Sequence, residues 1–196
     1  MKKINVSFLP SKKPATKCLI ALSGRGLPKE YFNSFFRVLQ ADKYDCYTIV
    51  PDKFKWYPQP FSPFDQDDAV AGLPDAVKAV EKFIKGLRFK REDIVLCGFS
   101  AGGVVLMQHL FDCEPVSQYF CFSGAVLEPE KIPECKKVVP LFIEHAYNDN
   151  CFFYDERFVP MEEQLINKNY QPEFSKNWHG HQLTYDTIDF MKKHLK

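Results

Sequence analysis

Ser100 stands in Gly98-Phe99-Ser100-Ala101-Gly102, with the apolar run Ile94-Val-Leu-Cys97 before it and a helical pattern from Val104 to Phe111 after it. Between a strand and a helix, this spacing predicts a sharp turn that pushes the serine hydroxyl out for nucleophilic attack. Gly98 and Gly102 suit such a turn because strand and helix approach too closely there for side chains. A glycine-rich strand–helix turn also serves as a packing device or a phosphate loop, so the serine needs partners elsewhere. Its hydroxyl is a weak nucleophile near neutral pH. It requires a base to take its proton, and the base requires a carboxylate to set its tautomer.

Two later residues fit those roles. Asp149 follows the apolar segment Leu141-Phe-Ile143 in His145-Ala-Tyr-Asn-Asp149-Asn150, and His181 follows the last predicted strand in Trp178-His-Gly-His181. In doubly wound sheets, reactive groups gather just beyond the carboxyl ends of strands. The order Ser100, Asp149, His181 is the one an α/β-hydrolase arrangement requires. Each residue has a plainer reading: Asn-Asp-Asn is turn chemistry, and His181 suits a helix cap or the surface. His179 competes for the base position, whereas Asp155 and Asp186 are less well placed relative to a strand end. Cys97, inside the strand, is expected to be buried and inert.

Acyl-transfer chemistry also needs N–H donors aimed at a developing oxyanion. The backbone N–H of Ala101, at the start of the helix, is one. A second is expected from the loop Ser23-Gly24-Arg25-Gly26, although that loop alone reads as an ordinary strand–helix turn.

The intervening pattern supplies elements to position these groups. Cys18 to Leu22 is a continuous apolar run, as expected of a strand covered on both faces. Tyr31 to Leu39 places Phe32, Phe35, Phe36 and Leu39 at helical spacing. Asp45 to Val50 predicts a strand, and Val70 to Leu87 an amphipathic helix kinked or started anew at Pro74. Further strands are predicted at Tyr119–Ser123, Val138–Glu144 and Glu173–Trp178, with helices at Phe158–Ile166 and Leu183–Leu195. The alternation predicts an α/β fold: a mostly parallel, doubly wound sheet flanked by helices, as one domain over residues 1–196. Only Gly124 to Lys137 separates two late strands, too short for an inserted lid domain. The proline-rich stretch Pro51 to Asp68, with Trp56, Tyr57, Phe61 and Phe64, reads equally as a hydrophobic pocket rim or a loop packed on the body.

Composition narrows the function classes. With 26 basic and 25 acidic residues the net charge is +1, which offers no footprint for nucleic acid. No apolar run approaches the roughly 20 residues of a membrane span. Ile4 to Leu9, broken by Asn5 and Ser7, makes a poor signal-peptide core, and the lysine-bearing N-terminus reads as a solvated approach to the first strand. The seven cysteines are scattered through apparent strands, which favours small buried hydrophobes in a reducing, cytoplasmic setting. No C-x-x-C or His-x-x-x-His spacing suggests a metal site.

Together these motifs resemble the phospholipase/carboxylesterase family of α/β hydrolases, which includes acyl-protein thioesterases. The family's Leu-His-Gly-x-Gly loop is matched by Leu22-Ser-Gly-Arg-Gly26, and its Gly-Phe-Ser-x-Gly-Gly by Gly98 to Gly103. Its His-Gly-x-x-Asp is matched by His145-Ala-Tyr-Asn-Asp149, and its terminal Gly-His by Gly180-His181, which favours His181 over His179. Trp56-Tyr57-Pro58 also resembles a stretch of bacterial esterases of this group. The resemblance implies catalysis by Ser100, Asp149 and His181, an oxyanion hole from Arg25 and Ala101, and no metal or organic cofactor. Two departures stand out: Ser23 replaces the first-loop histidine, and Ala146 replaces the glycine before the aspartate.

The expectation is a serine hydrolase for a small or lipid-like ester or thioester, with Trp56 and Tyr57, and Phe152 and Phe153 beside them, around the substrate. Lysophospholipase, dienelactone-type hydrolase and non-catalytic binding protein are the alternatives. Neither a nucleic-acid partner nor integral membrane association is expected.

Overall fold

Strand residues of alternating direction divide the core of this protein into two apolar layers, one on each face of a single sheet. In a computed structural model, residues 2–58 and 67–195 are described. Seven strands, β1 (Ile4–Leu9), β2 (Lys17–Leu22), β3 (Tyr44–Pro51), β4 (Ile94–Phe99), β5 (Gln118–Phe122), β6 (Leu141–Ala146) and β7 (Pro172–Asn177), lie in the order β1-β3-β2-β4-β5-β6-β7. All pairs are parallel except β1 with β3. This is the expected α/β-hydrolase sheet.

One face carries α1 (Lys29–Leu39) and α5 (Tyr185–His194), where Phe32, Phe35, Phe36 and Met191 pack against Leu19, Ala21, Val95, Phe120 and Phe142. The other carries α2 (Asp67–Lys85), α3 (Ala101–Asp112) and α4 (Val159–Asn167), packed on Cys18, Ile20, Leu96, Tyr119 and Ile143. Successive residues of each central strand point to opposite layers, so both must be apolar. That is why β2 and β4 read as unbroken hydrophobic runs.

One expectation is corrected and another is narrowed. The N-terminal segment is not merely a solvated approach: Ile4–Leu9 forms the antiparallel edge strand β1, in register from Ile4↔Pro51 to Leu9↔Cys46. Val6 and Phe8 remain largely exposed, with Phe8 stacked on Tyr47 at 4.9 Å. An edge strand needs little burial, so its sequence lacked the apolar signal of the central strands. Rather than starting anew at Pro74, α2 runs through it as one helix. Phe61 and Phe64, expected near a pocket rim, lie outside the described residues.

Candidate active site

The β4–α3 turn puts Ser100 at φ 55°, ψ −123°, a conformation disfavoured for a residue with a side chain. Close packing enforces it. A Cβ on Gly98 would lie 2.6 Å from the Gly102 carbonyl oxygen, and one on Gly102 would lie 2.1 Å from that of Leu22. Only glycine permits the helix to start so near two strands. The Ser100 N–H bonds the Phe122 carbonyl at 3.0 Å, and the Val104 N–H bonds the Ser100 carbonyl at 3.1 Å, locking the turn between β5 and the first turn of α3.

The three residues separated by up to 81 positions meet there. His181 Nε2 lies 2.8 Å from Ser100 Oγ, and His181 Nδ1 lies 2.7 Å from Asp149 Oδ2. The other carboxylate oxygen, Oδ1, accepts the backbone N–H groups of Cys151 and Phe152, each at 2.8 Å. Asp149 is buried, which by itself raises a carboxyl pKa. The hydrogen bond and charge of His181 and the two backbone N–H groups outweigh burial and hold the pKa below its ordinary value. The carboxylate therefore stays ionised where it orients the imidazole.

The competing residues are elsewhere. His179 Nε2 pairs with Asp186 Oδ2 at 2.7 Å on the exposed side of the loop. Asp155 is exposed on the wide turn Tyr154–Phe158. Cys97 is fully buried, and burial raises its thiol pKa well above the usual range. Phe152 sits with its ring 5.9 Å from that of His181, whereas Phe153 is exposed.

The first loop approaches the serine from the other side. A Cβ on Gly24 would meet Phe99 Cδ1 at 2.9 Å and Ser100 Cβ at 3.3 Å, so the backbone at Gly24 runs directly beside Ser100. Ala101 opens α3, and the first N–H groups of a helix have no intrahelical acceptor. Arg25 itself is exposed.

Trp56 and Tyr57, expected around the substrate, are instead in the core, 1% and 2% exposed. Trp56 Nε1 donates to the Ser23 carbonyl at 2.7 Å, while the Ser23 N–H donates to Ile49 O at 3.1 Å. Tyr57 and Pro58 lie over Gly72 of α2, where a Cβ would come within 3.0 and 2.5 Å of them. The loop that carries Arg25 is thus held through its backbone by a tryptophan and a strand. The Ser23 hydroxyl is buried and finds no hydrogen-bond partner among the described residues, so the support runs through its backbone and does not depend on the side chain that replaces histidine.

Sequence reasoning missed the residues that bind the loops together. Asn148 Oδ1 accepts the Gly180 N–H at 3.0 Å, tying the aspartate loop to the histidine loop. His145, fully buried, donates from Nε2 to the Phe152 carbonyl at 2.8 Å and so closes the turn around Asp149. Burial lowers its pKa, which keeps it uncharged beside the triad. Glu144 Oε1 accepts the Thr187 hydroxyl at 2.6 Å, anchoring the capped start of α5 just after His181. A charged residue and a histidine closing an otherwise apolar strand were the available signal.

Residues 45–196 match the profile of the Phospholipase/Carboxylesterase family. The chain belongs to that family. Solved structures agree on the fold. Esterase PE8 superposes with a TM-score of 0.84 at 21% identity, over 98% of both chains. The phospholipase/carboxylesterase from Dyadobacter fermentans gives 0.76 at 21% identity, over 99% of this chain and 96% of its own. Acyl-protein thioesterase 2 of Zea mays gives 0.74 at 16% identity, over 97% of each. No curated protein sequence matches. Among the described residues no helix is long and apolar enough to cross a membrane.

Proposed function

We propose that this family member is a serine hydrolase of carboxylic esters or thioesters working through an acyl-enzyme on Ser100. The supporting observation is the continuous chain from Ser100 Oγ through His181 to a buried, ionised Asp149, on a strained elbow. His181 Nε2 takes the Ser100 proton as Oγ attacks the acyl carbonyl carbon. Negative charge then collects on the carbonyl oxygen, toward which the Arg25 and Ala101 backbone N–H groups are assigned. Protonated His181 returns its proton to the leaving alkoxide or thiolate. It next deprotonates a water that attacks the acyl-enzyme, and collapse frees the acid and Ser100. Asp149 keeps Nδ1–H directed toward itself and stabilises the imidazolium in both halves of the cycle. None of these steps calls on a cofactor.

Phe152, beside the His181 ring, suits an apolar acyl group, in keeping with a small or lipid-like acyl ester. All seven cysteines are unpaired, which supports a reducing compartment such as the cytoplasm. The test is labelling by a fluorophosphonate together with turnover of p-nitrophenyl acyl esters. Wild type should label at Ser100, and Ser100→Ala should lose labelling and about 10⁴-fold or more of kcat. Unchanged turnover in that variant refutes the mechanism; absence of labelling in wild type favours a non-catalytic binding protein.

A further inference from the structure

We propose that Cys151, Asp149 and His181 form an inhibitory site for a thiophilic divalent cation of the zinc type, which switches off the hydrolytic centre. The proposal rests on the reading above, because two of the three ligands are its base and carboxylate. One ligand atom from each residue lies within 4.8 Å of the other two. Sulfur, imidazole nitrogen and carboxylate oxygen make a donor set that zinc favours. Around one zinc ion such atoms are roughly 3–4 Å apart, from bond lengths of about 2.0–2.3 Å, so closure needs a shift of about an ångström.

The surroundings permit that shift. Cys151 is exposed, so an ion can reach its sulfur from solvent, and among the described residues that sulfur has a weak contact to Asn150 Oδ1 at 3.6 Å. Backbone N–H groups hold Asp149 by Oδ1, while Oδ2 faces the imidazole. Thiolate and carboxylate together balance the two positive charges, and a water would complete the four ligands that zinc takes. Binding releases the thiol proton to solvent and moves no electrons; if Nδ1 is the ligand, the proton it shared with Asp149 shifts to Nε2.

Either ring nitrogen gives inhibition. At Nε2 the metal occupies the lone pair that must take the Ser100 proton. At Nδ1 it leaves a neutral imidazole with its remaining proton on Nε2, which cannot accept another. A second candidate set, Glu81, His109 and Cys113, is less suited. Arg91 and Lys85 already sit on Glu81, and His109 is fully buried, whereas Cys151 offers its sulfur to solvent.

The experiment titrates the whole protein with Zn²⁺ in competition with a chromophoric chelator, and in parallel follows fluorophosphonate labelling. Wild type and Ser100→Ala should bind zinc alike, whereas Cys151→Ser and Cys151→Ala should bind about tenfold or more weaker. Cys113→Ser should bind as wild type. Zinc should slow wild-type labelling, with recovery on adding EDTA, and should leave Cys151→Ser at its own zinc-free rate. Equal affinity in wild type and both Cys151 variants, loss confined to Cys113→Ser, or bound zinc that leaves labelling unchanged would each overturn the proposal. Zinc bound through Cys151 in a protein that never labels supports the metal site and sinks the hydrolase reading instead.

Discussion

Two hydroxyl–imidazole–carboxylate chains run through this molecule at opposite ends of the sheet. At the carboxyl ends of the strands, Ser100, His181 and Asp149 are joined at 2.8 and 2.7 Å. At the other end, the Tyr119 hydroxyl lies 3.2 Å from His109 Nδ1, and His109 Nε2 lies 3.1 Å from Glu81 Oε2. The connectivity is the same, yet only the first ends on a residue held in a strained strand–helix turn. The Tyr119 phenol is fully buried, accepts the Val116 N–H and sits on a regular strand. Burial raises its pKa, so it stays protonated and donates to His109. Glu81 is taken by Arg91 and Lys85 as well as by His109. The second chain is a staple joining α2, α3 and β5. The contrast teaches that a relay becomes a site only where backbone geometry opens one end of it to substrate.

Mutations at the two ends should separate these roles. His181→Ala should cut ester kcat by about 10³-fold or more, while Tyr119→Phe and His179→Ala leave it within a few fold; steady-state kinetics on a p-nitrophenyl ester decide. Comparable losses for His179→Ala would reopen the choice of base. At the staple, the effect should fall on stability. Burial pushes the Glu81 pKa up, but hydrogen bonds from His109 and Arg91 and their charges bring it down from 4.5 to about 2. A carboxylate depressed in the folded state stabilises fully above its unfolded value and loses that contribution as pH falls from about 4.5 toward 2. Glu81→Gln should therefore lower stability by about 2–3 kcal/mol near neutral pH and flatten the acid limb of a denaturant-melt pH profile. A parallel acid limb in wild type and variant would rule out this role. The smallest effect should come from Trp56→Phe, which removes the donor to Ser23. It should cost about 1 kcal/mol in melts and lower kcat roughly tenfold or less, with KM changed less than kcat. A change in KM alone would return Trp56 to the substrate wall.

Much of the site was legible because its chemistry is local in sequence. Gly-x-Ser-x-Gly encodes its own turn, Asp149 follows a strand that its apolar residues announce, and Gly180-His181 follows a more polar edge strand just before the last helix. The supports were not legible. Trp56 read as a pocket aromatic because indole chemistry suits both a rim and a buried strut, and only the Ser23 carbonyl at 2.7 Å distinguishes them. Glu144 and His145 close a strand and disappear into the core, where their partners, Thr187 and Phe152, lie 43 and 7 residues away. Edge strand β1 escaped notice because Ile4, Val6 and Phe8 alternate with Asn5 and Ser7, which reads as a broken apolar run unless the period of two is recognised.

By itself, the sequence determined the layers, the elbow and the order of the reacting groups, since these follow from apolar periodicity and from glycine where side chains cannot fit. Tertiary structure decided which histidine reaches Ser100, what holds the Arg25 loop in the absence of a first-loop histidine, and that Cys151 stands beside the triad. Those outcomes depend on how loops from distant strands converge at one end of the sheet. Through-space distances of 2.7–2.8 Å leave no trace in linear spacing.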